Sequence, residues 1–168
     1  MAATKMPSAK EEYKTMFERE HPITKKVLRA YPADKGAYKS HPNNSTALQI
    51  AWTFVIENNI AMAALKGPLK LDGGFPPPPA KFEEVIAAYE KTSKQLLDAV
   101  MATPDSRLGE KIAFPSGPKQ MGEMPVIDFL WFMLLDSIHH RGQLSVYIRP
   151  AGGKVPSIYG PSGDEPWM

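Results

Sequence analysis

There is no cysteine among the 168 residues. That excludes structural disulfides, thiolate metal ligands and a cysteine nucleophile, and it is compatible with a reducing compartment. An excess of charge of one sign is also lacking. The formal balance is +2, with no basic run and no cluster of arginine with aromatics, so a nucleic-acid partner is not indicated. The opening stretch MAATKMPSAKEEYK carries none of the apolar core of a secretory signal. The longest apolar run, of about ten residues, is far short of the ~20 needed to cross a bilayer, and no membrane partner is expected. A cytoplasmic protein is the expectation from these absences. No repeat with a period of roughly 20–50 residues is visible. What is present is ordinary globular composition, 43% hydrophobic and 23% charged, enough for one domain over residues 1–168 with one good core.

Taken in order, residues 1–7 read as a loose lead-in. Ser8 with Glu11 forms a capping-box pattern that starts a helix, which runs to about Ala30 and is open to bending at Pro22. Residues 31–44 are rich in turn formers. Asn44 or Ser45 is the expected cap of a second helix over 45–66, closed by Gly67-Pro68. A proline-rich loop over 67–80 leads to a third helix from Pro79 or Ala80 to Ala102, with Glu83 and Glu84 at its positive end. Residues 103–124 hold too much glycine and proline for a helix, and Lys111 to Phe114 reads as a strand or part of a hairpin. A fourth helix spans Pro125 to Arg149. In the irregular tail, Val155, Ile158, Tyr159 and Trp167 suggest packing back onto the rest. Four amphipathic segments with connections of about a dozen residues predict an all-α four-helix bundle with long crossover loops.

The last helix is the informative one. Its first half is apolar almost all round, and then Asp136, His139 and His140 arrive within five positions. Positions i and i+4 share a helix face, so Asp136 and His140 point together while His139 does not. A carboxylate and an imidazole presented inward are costly unless hydrogen-bonded or ligated. On the second helix, Gln49, Thr53 and Glu57 make a polar stripe at i, i+4 and i+8. Arg141 reads as the partner of a carboxylate or a helix carbonyl, and Gly142 as a point of close helix contact.

The run HHRGQLSVYIRPAGGKVPSIYGPSGDEP, from His139 to Pro166, resembles the C-terminal signature of the DinB/YfiT-like family. That resemblance implies a four-helix bundle, often holding zinc or nickel through three histidines, one on the second helix and two at i and i+4 on the last. Carried onto this chain, the last ligand is His140, the position four before it is Asp136, and the second-helix ligand falls at Thr53, where members often read Ala-Trp-His. This chain therefore keeps one of the three as histidine. The resemblance also implies a homodimer and a metal-dependent hydrolase or thiol-dependent transferase acting on a small molecule.

Thr53 offers only a neutral hydroxyl. Glu57, one turn on, is the better donor, and a set of Glu57, Asp136 and His140 suits zinc, manganese or iron(II). Two further readings stay open. Asp136 and His140 could be a buried hydrogen-bonded pair with no metal, or Asp136 could orient His140 as a general base over Thr53. Set against an enzyme is a non-catalytic, metal-free dimer that binds a small ligand or a partner.

Overall fold

The computed structural model describes residues 6–70 and 73–168. The first five residues of the expected lead-in, and residues 71–72 of the second loop, lie outside them. Helix α1 covers Ala9–Ala30, and the capping box is present in both directions, Ser8 to Glu11 and back. Pro22 sits inside α1, which continues through it.

Helix α2 covers Ala47–Lys66, and its cap is Thr46, not Asn44 or Ser45. The physical reason is reciprocity. Thr46 takes the Gln49 amide at 3.1 Å while Gln49 takes the Thr46 amide at 2.8 Å, a pairing that only a Thr-x-x-Gln spacing allows. Helix α3 covers Phe82–Ala102. It starts a little later than the prolines suggested, with Glu83 and Glu84 in its first turn.

Residues 103–124 correct the expectation of no helix there. Pro104 and Gly109 bracket a short helix, α4 (Asp105–Gly109), that buries Leu108. A hairpin then pairs β1 (Lys111–Gly117) with β2 (Gln120–Pro125) in antiparallel register, from Lys111 opposite Pro125 to Gly117 opposite Gln120. The strand extends beyond the expected Lys111 to Phe114. Lys119 turns the corner at φ 59°, a left-handed conformation more often given to glycine. Helix α5 covers Val126–Ile148.

Helix α2 packs on α3 and α5, and α1 packs on the same two, which closes a four-helix bundle. Among the described residues α2 is the one helix long and apolar enough to cross a membrane, yet half of it is buried inside the bundle, as a core helix would be. The tail is fastened by Lys26 to Glu165 at 2.7 Å and by Arg149 to Asp164 at 2.8 Å. Val155 and Ile158 pack against the bundle, but Trp167 is 64% exposed and does not. It lies beyond both ionic ties, where nothing covers it.

The core is not continuous. One apolar cluster holds Tyr13, Phe17, Leu96, Leu130 and Leu134. The other holds Val27, Phe54, Phe82, Leu144 and Ile148. Between them every long helix contributes polar groups at one level: Glu20, His21 and Thr24 from α1, Glu57 and Asn58 from α2, Thr92 and Ser93 from α3, and Asp136, Ser137, His140 and Arg141 from α5. This polar belt positions the site.

Candidate metal centre

In the belt, Glu57 of α2 meets Asp136 and His140 of α5. Nε2 of His140 lies 3.6 Å from Oε1 of Glu57 and 3.7 Å from Oδ2 of Asp136. One donor atom from each residue falls within 4.8 Å of the other two. The i, i+4 spacing brings Asp136 and His140 together as expected, and the packing of α2 against α5 brings Glu57 up to them.

The three side chains differ in exposure. Glu57 is 4% exposed, whereas Asp136 and His140 keep 38% and 23% of their side chains open. The centre therefore has a dry floor and a wet mouth. Both Glu57 oxygens are buried with no hydrogen-bond partner among the described residues. Burial first, and then the Asp136 charge, push the Glu57 carboxyl up from 4.5 to about 9. The Ser137 hydroxyl pulls the other way, but neither Ser137 nor Asp136 reaches hydrogen-bond geometry with it.

Asp136 and His140 are not a hydrogen-bonded pair at 3.7 Å. Instead, Nδ1 of His140 faces Oε1 of Gln143 at 2.8 Å. An amide oxygen only accepts, so Nδ1 carries a proton, and Nε2 is the ring atom turned toward the two carboxyls. Nε2 of Gln143 in turn donates to Nε2 of His139 at 2.9 Å. Gln143 follows His140 by three residues on the same helix face, but its role in setting the tautomer needed the rotamer. His139 is exposed, as its helix phase predicts.

Thr53 is half-buried one turn before Glu57, and its hydroxyl donates to the Gln49 carbonyl at 3.1 Å. Arg141 is 1% exposed and does pair with a carboxylate, Oε2 of Glu20 at 2.7 Å. It also donates to Thr24 at 3.2 Å and to the Tyr159 hydroxyl, while Tyr159 donates to Glu20 at 2.6 Å. Glu20 looked like any solvated helix glutamate in the sequence. Its only signal was a position three to four residues from Phe17 and Thr24, on the inner face of α1.

The donor set fits a divalent ion. Ligands held at ~2.1 Å around one tetrahedral ion stand about 3.4 Å apart, close to the 3.6 and 3.7 Å seen here. An unpartnered buried carboxyl gains most from such an ion, because the alternatives are protonation or an uncompensated charge.

Comparison with known proteins bears on the same elements. An uncharacterised Bacillus subtilis protein, YrdA, is 28% identical over 150 residues, covering 89% of this chain and 87% of its own. A DinB-like protein from Bacillus cereus superposes with a TM-score of 0.74 at 23% identity, over 89% of this chain and 97% of that one. The DinB-like protein YjoA of B. subtilis gives 0.68 at 14% identity, over 94% and 99%. The DinB family profile matches residues 6–167. The four long helices and a profile match over nearly the whole chain place it in the DinB family.

Proposed function

We propose that this protein is a metal-dependent enzyme acting on a small molecule, a hydrolase or a thiol-dependent transferase, with Glu57, Asp136 and His140 as the metal ligands. One observation carries the reading: a buried carboxyl whose two oxygens have no hydrogen-bond partner among the described residues, facing Nε2 of His140 at 3.6 Å. Two carboxylates and one imidazole suit zinc, manganese or iron(II). Bound there, the ion would act as a Lewis acid toward a substrate oxygen or thiol.

The chain's own residues do the rest. Gln143 holds the His140 tautomer. Glu57 forms the buried floor, and Asp136 stands at the open mouth. Gln143 also borders a cleft of about 340 Å³ lined by Ser40, Asn43, Asn44, Ser45 and Tyr147. Ile50 and Val146 stand beside these hydroxyls and amides, and no ionised group lines the cleft, which favours a small uncharged substrate with both polar and apolar surface. Thr53 stands one turn from Glu57 on the same helix and is not needed for the ligand count.

The elevated Glu57 value favours a second reading. A neutral carboxyl can stay buried without an ion, so a metal-free, non-catalytic bundle that binds a small ligand would tolerate the same residues.

Calorimetric titration of chelator-stripped protein with Zn²⁺ and Mn²⁺ separates the two. One ion per chain, with affinity about tenfold or more weaker in Glu57→Gln and His140→Ala, is the expected result. A flat titration of folded wild-type protein would leave the metal-free reading in its place.

A further inference from the structure

Beside the metal centre, a cavity of about 10 Å³ lies between the polar belt and the apolar cluster of Tyr13, Phe17, Leu96 and Leu134. Glu57, His21, Asn58, Tyr89, Ser137 and Glu20 are among its lining residues. Among the described residues, three buried side-chain polar atoms have no hydrogen-bond partner: Nδ1 of His21 and both oxygens of Glu57. All three belong to residues that line this one cavity. An orphaned buried polar group is costly, so their meeting in one space calls for a common partner.

We propose that the cavity holds one ordered water that bridges the Glu57 carboxyl to His21, and that His21 is thereby a positioning residue for Glu57. The volume is at the ~10–15 Å³ threshold for one water, and a buried water needs about two to four polar partners. Nδ1 of His21 accepts one of its hydrogens, and a Glu57 oxygen accepts the other. The His21 ring is held for this role. It stacks on Phe17 at 6° between planes and packs against Tyr89 at 5.0 Å between centroids. The same ring borders an outer groove between α1 and α3, with Glu90 and Lys94, so it separates the buried water from solvent and marks the route by which it exchanges.

The water stands on the cavity alone; its effect on metal binding rests on the function proposed above. A high-resolution crystal structure of the wild type should show density within hydrogen-bond distance of both His21 and Glu57. An empty cavity, or a water that touches only one of them, overturns the proposal without reference to any variant. His21→Phe should lose the density and bind Zn²⁺ about tenfold more weakly, the usual penalty for a lost outer-shell partner. His21→Asn, which keeps a polar atom near Nδ1, should restore both. Unchanged affinity in a folded His21→Phe overturns the positioning role. Should the wild type bind no Zn²⁺, the proposed function fails and the density alone decides the water.

Discussion

Glu57 is the residue whose environment most needs explaining. A carboxyl at 4% exposure with no hydrogen bond destabilises the metal-free fold, and the sign of its pH dependence follows. Its folded value of about 9 lies above the ordinary 4.5, so below 4.5 both states are protonated and no penalty exists. As pH rises from there the unfolded chain ionises and the folded one does not, and stability falls until about 9 is passed. Glu57→Gln should therefore stabilise the metal-free protein by several kcal/mol at about pH 8, and hardly at all near 4.5. Urea unfolding at the two pH values measures this. Gln143→Leu tests the other side of the centre: losing the acceptor at Nδ1 of His140 should weaken Zn²⁺ binding about 10–100-fold while leaving the helical circular dichroism unchanged. The spacing of Asp136 and His140 was legible in the sequence because i, i+4 geometry is local. Which member of the stripe Gln49, Thr53, Glu57 faces them was not, because that depends on how far α2 is rotated and shifted against α5. His21 carries no signal in the sequence for the same reason: nothing local to His21-Pro22 points to a cavity built between helices.

Among the elements, α2 shows how capping decides where a helix begins. Asn44, Ser45 and Thr46 are all competent caps by type, but only Thr46 has a glutamine three residues on. Thr46→Ala should cost about 1 kcal/mol in thermal or urea unfolding, with Ser45→Ala near neutral. The four long helices were readable because each repeats its apolar residues over many turns. Helix α4 was not, because a single turn between Pro104 and Gly109 has no periodicity to show. It exists because Leu108 finds a buried place. The hairpin was half visible: Ile112 and Phe114 alternate inward, whereas β2, with no buried residue, gives no pattern at all.

At the scale of the whole molecule, α5 is apolar on more sides than one bundle needs. Phe132, Leu135 and Val146 are 44%, 62% and 67% exposed, and Gly142, on the same outer stripe, has nothing within 4 Å of where a Cβ would stand. The close contact expected at Gly142 is therefore not made within the chain. A second copy of this chain laid along the stripe would supply it, and that is the homodimer we propose. Light scattering should give twice the chain mass for wild type and a single chain for Leu135→Glu; a wild type of single-chain mass would remove the dimer. The division of the interior into two oily lobes with a belt between them has a further consequence. Folding free energy resides mainly in the lobes, and donor atoms reside in the belt, so the two are free to change separately. A descendant of this chain could trade carboxylate for imidazole, or acquire a new substrate at the mouth, without renegotiating the packing that keeps it folded.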